Sequence, residues 1–300
     1  MVLLLVLFVS ASAGVGAFFL IRAWPHADPA LGVTEAIGRG LQNHPGPRRF
    51  LRSRMDPATA TGLTLTAALT GLVLTGAVVG VLTLMVRRET GLVDVDHAAE
   101  IWADVHSTTF TDDVLAVITH LGDTVTIISV GVAISTYGLW RWRKASIPLF
   151  VLSVILGQAL ISNTIKLVID RARPELRPRA VFTGTSFPSG HTTAAAATYL
   201  AVALVLGIGS SPRVRAALGG AAVAIAVAVG CTRVLLGVHW FSDVLAGLAI
   251  GWTWFGLCAV AFGGRLLRLG APAEAALTPP IDPPSVRQPV AARRDPGGNP

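Results

Sequence analysis

Long runs of apolar residues dominate the chain, and several are about 20 residues long and free of charge, the length a helix needs to cross a bilayer. Seven runs stand out, at residues 2–21, 61–86, 124–140, 146–169, 192–209, 214–236 and 241–263. Because these runs are unbroken, they differ from the short alternating strands of a transmembrane barrel. The pattern therefore predicts an all-α fold, a polytopic bundle of membrane-spanning helices.

Composition supports a membrane protein. Of the 300 residues, 52% are hydrophobic and only 14% are charged, whereas roughly a quarter of the residues in soluble proteins are charged. Too few polar side chains remain to cover a globule, which excludes a soluble enzyme and a disordered chain. Cys231 and Cys258 lie far apart in apolar runs, so they indicate neither a disulfide framework nor a metal site.

The charges fall on alternate connectors between the runs. Six arginines lie between the first and second runs, namely Arg22, Arg39, Arg48, Arg49, Arg52 and Arg54. Residues 87–123 carry eight acids instead, and the positive-inside rule then places the arginine-rich connector in the cytoplasm. If every run spans, three segments share the outer face: residues 87–123, 170–191 and 232–242. The net charge of +7 thus reflects topology and does not indicate nucleic-acid binding.

The chain divides into three parts. Residues 1–60 contain an N-terminal span and the basic cytoplasmic loop, and residues 61–263 contain six spans. Residues 264–300 are rich in Pro and Ala, and we expect them to be a disordered cytoplasmic tail.

Two segments each allow two interpretations. Residues 2–21 are either a retained span or a cleaved signal peptide, and we favour the span, because cleavage would leave the arginine-rich loop outside. Residues 94–121 mix acids with apolar residues at helical spacing. They predict either a helix lying on the outer face or a solvated connector.

Three clusters of ionisable residues lie at the predicted outer ends of spans, where charged groups are costly and are therefore functional candidates. They are Lys166 to Pro174, Phe187 to His191, and Arg233 to Asp243. The chain has 22 arginines and only two lysines, so a lysine at position 166 indicates a specific need for a compact ammonium there. The alternative is a lysine that reaches from a helix end to the lipid headgroups.

The second and third clusters suit an anion. Ser189 and Gly190 open a helix whose free N–H groups would point at a phosphate, although Ser189 could be only an N-cap. Asp243 lies one helical turn after His239, where a carboxylate can fix the tautomer of a histidine. A zinc centre on the two histidines and Asp243 is the competing interpretation, which the neighbouring cations disfavour by repelling a divalent ion.

The spacing of these clusters resembles the three-part signature of the type 2 phosphatidic acid phosphatase (PAP2) superfamily. Its parts are Lys166 with six residues to Arg173-Pro174, then Pro188-Ser189-Gly190-His191, then Arg233 with five residues to His239 and three more to Asp243. The similarity covers residues 61–263, and Thr232 stands where the family commonly has Ser. The resemblance implies a six-helix phosphatase core, to which the first span would be an addition, and metal-independent hydrolysis with no cofactor.

The resemblance also implies a role for each matched residue. His239 would attack phosphorus and form a phosphohistidine, with Asp243 holding its other ring nitrogen. His191 would protonate the leaving oxygen and then activate water. The remaining matched groups, which would hold the phosphate, are Lys166, Arg173, Ser189, Gly190 and Arg233. Arg171 and Asp170 are not firmly placed by the signature.

The expected substrate is a membrane lipid with a terminal phosphate or diphosphate, bound at the outer face. Undecaprenyl diphosphate, phosphatidic acid and phosphatidylglycerol phosphate all fit, and the oligomeric state is open. A lipid phosphotransferase would use the same residues. A phospholipid transporter without chemistry is a further alternative, which the crowding of charges at one face rather than the midplane disfavours.

Overall fold

The computed structural model describes residues 1–23, 63–88, 90–176 and 184–266. The first helices in chain order are α1 (Val2–Ala23), α2 (Leu63–Arg87), α3 (Leu92–His106) and α4 (Thr109–Thr119). A 3₁₀ turn (His120–Gly122) then leads to α5 (Thr124–Trp142), α6 (Ser146–Ile169), α7 (Gly190–Leu206), α8 (Pro212–Leu235) and α9 (Phe241–Leu266). The described residues contain no strand, and the prediction of an all-α fold is confirmed.

Within the described ranges, four helices are each long and apolar enough to cross a membrane, namely α1, α6, α8 and α9. Helix α4 with its 3₁₀ turn and α5 together form a fifth candidate span, bent by 48°. The stretch Leu72–Arg87 of α2 and the whole of α7 are apolar but shorter. Each of the seven apolar runs in the sequence therefore forms a helix, and the protein is a multi-pass membrane helix bundle.

The acidic connector is helical, as in the first of the two interpretations of residues 94–121, but it is not one continuous helix. The helical structure is interrupted at Ser107 and Thr108, which separate two helices, α3 and α4. The side chain of Thr108 accepts the N–H of Thr111 at 3.2 Å, and the hydroxyl of Thr111 accepts the N–H of Thr108 at 2.8 Å. This reciprocal capping box starts a new helix.

Helix α7 packs closely against α9. Its residues 192–198 are buried, and two glycines of α9 let the backbones approach. A Cβ at Gly247 would lie 2.9 Å from the backbone oxygen of Ser189, and one at Gly251 would lie 2.6 Å from that of Thr193. As a result the start of α7 lies beside the start of α9, where the N–H of Ser189 donates to the backbone oxygen of Asp243 at 3.1 Å.

Helix α1 packs along α8 through its backbone. A Cβ at Gly14 would lie 2.8 Å from the backbone oxygen of Gly220, and one at Gly220 would lie 2.6 Å from that of Gly14. Nearer the N-terminus, the buried side chains of Val2 and Val6 join an apolar cluster. That cluster also contains Ala103, Leu115, Leu235, Leu236 and Val238. Helix α1 therefore supports the segment that leads into His239.

Some expectations concern residues outside the described part of the chain. The basic loop falls largely within residues 24–62, and the tail falls almost entirely within residues 267–300. The three-part division of the chain, and the retention of the first span, stay predictions.

Candidate active site

The three clusters predicted from the sequence meet at one end of the bundle. Nη1 of Arg173, in the first cluster, lies 3.1 Å from Nε2 of His239 in the third. A Cβ on Gly190, in the second cluster, would lie 4.0 Å from the side chain of Lys166. The contact of Ser189 with the backbone of α9 completes the ring. Residues from three helix junctions thus enclose one polar site.

His239 and Asp243 form a buried pair. His239 is 2% exposed and Asp243 is fully buried, and Nδ1 of His239 lies 3.3 Å from Oδ2 of Asp243. The same oxygen accepts the N–H of Trp240 at 3.0 Å and a hydrogen bond from the hydroxyl of Ser186. A guanidinium can only donate hydrogen bonds, so Nε2, which faces Arg173, carries the lone pair and Nδ1 carries the proton. Nε2 is therefore the nucleophilic atom.

Burial keeps His239 uncharged. It lowers the pKa of His239 to about 4, an effect that Asp243 opposes and that the charges of Arg173 and Arg233 reinforce. At neutral pH the imidazole is neutral, and its lone pair is available for attack on an electrophile.

Backbone oxygens hold two of the cations. Arg173 donates from Nε to Gly184 at 2.9 Å, from Nη1 to Val238 at 2.6 Å and from Nη2 to Thr185 at 3.1 Å. Lys166 donates from Nζ to the same oxygen of Thr185 at 2.8 Å. Burial lowers the pKa of Arg173, which nonetheless stays a cation at neutral pH. Two positive groups therefore share the oxygen of Thr185, and one of them, Arg173, lies beside Nε2 of His239.

Arg233 presents an unsatisfied donor. Its side chain is buried, and Nη1 donates to Oγ1 of Thr119 at 3.0 Å. Its Nε has no hydrogen-bond partner among the described residues. A buried donor without a partner costs about 1–3 kcal/mol, more when it is charged, and a phosphate oxygen is a partner of the right kind.

The start of α7 is arranged for an anion. Ser189 is fully buried, but its side chain makes no capping bond to the helix. Instead its Oγ pairs with Oγ1 of Thr192 at 2.9 Å, so Ser189 occupies the N-cap position without capping the helix through its side chain. The first-turn N–H groups, including those of Gly190 and His191, have no acceptor within the helix, which is the feature that binds phosphate at helix N-termini.

The structure places two carboxylates at this site that sequence reasoning missed. Oδ1 of Asp123 lies 2.6 Å from Nε2 of His191, and its Oδ2 lies 2.5 Å from Nδ1 of His120. Gly122 permits this approach, because a Cβ there would lie 2.9 Å from the backbone oxygen of His191. The second carboxylate is that of Asp96 on α3, which is 1% exposed. The family signature supplies Asp243 alone as a carboxylate, and the acidic connector, which folds onto the site, adds these two.

The competing interpretation of the sequence is a zinc centre on the two histidines and Asp243. Across the described ranges no group of three or more His, Cys, Asp or Glu side chains is arranged to hold a metal ion. His191 pairs with Asp123, whereas His239 pairs with Asp243. The two histidines thus belong to separate pairs rather than to one ligand set.

Comparison with known proteins agrees with the geometry. The sequence model of the PAP2 superfamily matches residues 147–266. Phosphatidylglycerophosphatase B of Bacillus subtilis (strain 168) is 35% identical over 142 residues, which cover 47% of this chain and 70% of that protein. The lipid A 1-phosphatase of Rhizobium etli is 36% identical over 151 residues, which cover 45% of this chain and 61% of that protein.

A solved structure is also similar. The crystal structure of a transmembrane PAP2-type phosphatidylglycerolphosphate phosphatase from Bacillus subtilis aligns with a TM-score of 0.57 and 28% sequence identity. The alignment covers 68% of this chain and 98% of that one. The family match contains all three clusters but excludes α1 to α5.

Proposed function

The chain belongs to the PAP2 superfamily and is a membrane phosphatase, and we propose that it hydrolyses the terminal phosphate or diphosphate of a membrane lipid at the outer face. The observation that carries this proposal is the buried pair of His239 and Asp243, with Nε2 directed at Arg173. A neutral nucleophile beside fixed cations suits attack on a phosphoryl dianion.

The reaction runs in two steps. In the first, the Nε2 lone pair of His239 bonds to phosphorus while the bond from phosphorus to the lipid oxygen breaks, and that oxygen takes a proton from His191. In the second, a water oxygen attacks phosphorus, one water proton passes to His191, and the N–P bond breaks with its electron pair returning to Nε2. The products are inorganic phosphate and the lipid lacking one phosphoryl group, and both histidines are restored.

The contacts support these roles. Asp243 stabilises the charge that His239 acquires as it bonds to phosphorus. Asp123 holds one ring nitrogen of His191, which orients the ring and leaves the other nitrogen to exchange protons with the leaving group and water. Charge on the phosphoryl oxygens is held by preorganised donors. Those donors are Lys166, Arg173, Arg233 and the backbone N–H groups at the start of α7.

The substrate class follows from the site and from the relatives. The names of the relatives describe phosphatases of phosphatidylglycerol phosphate and of lipid A. Phosphatidylglycerol phosphate, phosphatidic acid and undecaprenyl diphosphate share a terminal phosphoryl dianion on a membrane anchor, which is the chemistry that the cationic cluster recognises.

The purified enzyme is expected to need no divalent metal. Detergent-purified protein should release inorganic phosphate from phosphatidic acid at the same rate with and without EDTA, because arginine and lysine hold the phosphoryl charge. A metal-dependent phosphatase assayed in the same buffer checks that chelation is effective. Loss of activity in EDTA that zinc or magnesium restores would contradict the proposal, and phosphate recovered on a second lipid rather than in water would identify a phosphotransferase.

Topology can be tested with single cysteines. Ala180→Cys should react with an impermeant thiol reagent in intact cells, whereas Ser285→Cys should react only after lysis, because the arginine-rich loop holds its side of the bundle in the cytoplasm. The parent protein, with its native cysteines, measures the background. Labelling at 285 but not at 180 in intact cells would show the opposite orientation.

A further inference from the structure

The carboxylate of Asp243 is held from two sides. Its Oδ2 faces Nδ1 of His239 at 3.3 Å, and its Oδ1 accepts a hydrogen bond from Nη1 of Arg171 at 2.6 Å. The contact with His239 joins two residues of the family signature. Arg171, by contrast, lies between the signature positions Lys166 and Arg173 and has no role assigned by the resemblance.

Arg171 connects Asp243 to a second buried carboxylate. Helix α6 ends at Ile169, and the left-handed backbone of the next residue, Asp170 (φ 39°), redirects the chain. The guanidinium of Arg171 then lies 5.2 Å from the ring centroid of Trp240, and its Nη2 donates to Oδ2 of Asp96 at 2.8 Å. The side chains of Asp96 and Asp243 are fully buried, and that of Arg171 is 10% exposed. The three charges are therefore largely withdrawn from water.

Asp96 is fixed in turn by the first turn of α9. Its Oδ1 accepts the N–H of Ser242 at 2.8 Å, and its Oδ2 accepts the hydroxyl of Ser242 at 2.6 Å. A carboxylate at a helix N-terminus is favourable, because it faces free N–H groups and the positive end of the dipole. Ser242 precedes Asp243 in sequence and also accepts a hydrogen bond from Arg171 at 2.7 Å. Helix α3, which lies outside the family match, thus contacts the first turn of α9, which carries Asp243, the partner of His239.

We propose that Asp96 and Arg171 are positioning residues for phosphoryl transfer: Arg171 orients the carboxylate of Asp243 towards His239, and Asp96 holds Arg171 in place and neutralises its charge. This inference rests on the proposed phosphohistidine chemistry. As His239 bonds to phosphorus it becomes positive, and the surrounding cations oppose that charge while Asp243 favours it.

Charge balance explains why a second acid is needed. Arg171 alone would cancel the charge of Asp243, and the pair would no longer stabilise a cationic His239. Two carboxylates and one guanidinium leave one net negative charge, which equals that of a lone aspartate. Asp96 therefore allows a rigid guanidinium to orient Asp243 without removing its electrostatic effect.

The substitution Asp96→Asn tests the negative charge of Asp96 separately from the size of its side chain. The size of the side chain is kept, and its amide oxygen can still accept from Ser242. The kcat of the full-length enzyme should fall by roughly 10- to 100-fold, the usual effect of losing a partner that orients a reactive group. The KM for phosphatidic acid should not rise, because removing an acid leaves the phosphate site more positive. Orthovanadate mimics the transition state, so its inhibition should weaken by about the same factor as kcat/KM falls. Inhibition by inorganic phosphate should not weaken.

Three further variants test the geometry and the coupling. Arg171→Lys keeps the cation, but an ammonium cannot bridge both carboxylates as the guanidinium fork does, so a similar fall in kcat is expected. Arg171→Gln is measured alone and combined with Asp96→Asn, and the loss in the double variant should be smaller than the product of the two single losses, because no guanidinium then remains to cancel the charge of Asp243. Losses that simply multiply would overturn the charge-balance account.

Controls separate this inference from the proposed function. Asp94→Asn changes an exposed acid on the same helix and should leave kcat unchanged. Wild-type protein that releases no phosphate would refute the proposed function itself. An active wild type, with both Asp96→Asn and Arg171→Lys at wild-type kcat, would overturn only the inference. A raised KM, with inhibition by vanadate and by phosphate weakened equally, would indicate general damage to the site and would also overturn the inference. If Asp96→Asn does not fold, the same assays on Arg171→Lys decide.

Discussion

Replacement of His239 by alanine is expected to abolish turnover, with kcat lower by roughly 10⁶-fold, as when other enzymes lose a covalent nucleophile. Among the described residues of the site, His191 and His120 are both paired with Asp123, whereas Nε2 of His239 faces Arg173. Phosphate release from phosphatidic acid measures the loss. Rapid mixing with labelled substrate should trap an acid-labile phosphoprotein in the wild type and none in the variant.

A matched control makes this result specific. His106→Ala removes a histidine of α3 whose Nδ1 contacts the backbone oxygen of Trp102 within the same helix, and it should retain activity. A phosphoprotein trapped in His239→Ala would remove His239 from its assigned role.

Replacement of His191 by alanine should have a large effect that depends on the leaving group. Proton transfer contributes about 10²- to 10⁴-fold, and the lipid alkoxide that leaves from phosphatidic acid needs it most. The p-nitrophenolate of p-nitrophenyl phosphate leaves without protonation, so hydrolysis of that substrate should be spared. A prenyl diphosphate should fall between the two, because its phosphate leaving group is less basic than an alkoxide.

The three substrates, compared at saturating concentration in the same detergent, provide an internal control. A variant that is merely misfolded loses activity on all of them by the same factor. Equal losses would therefore argue against His191 as the general acid.

The helices were predictable because a bilayer demands long apolar segments. The predicted run 146–169 coincides with α6, Ser146–Ile169, since nothing in this stretch opposes a helix. The meeting of the three clusters was predictable as well. Each was assigned to the same end of the bundle by the order of the spans and the arginine-rich connector, so that Lys166, His191 and His239 were expected together.

The supporting acids were not predictable, because their burial depends on distant contacts. Asp94 and Asp96 lie two residues apart on an acidic helix, and only Asp96 is buried. It is buried because it binds Ser242, which is 146 positions away. One signal was present in the sequence: Asp96, Glu100 and Ala103 share a helical face, but charged residues on such a face are ordinarily solvated.

The backbone contact between α1 and α8 has a consequence for biosynthesis. Ribosomes add about 5–20 residues per second, so the partner of Gly14 emerges roughly 10 to 40 s after it. Through that interval the glycine face of α1 lies against lipid or another helix. Docking of α1 therefore cannot occur before α8 has been made, and the segment that leads to His239, which is itself made after α8, gains this support only late in translation.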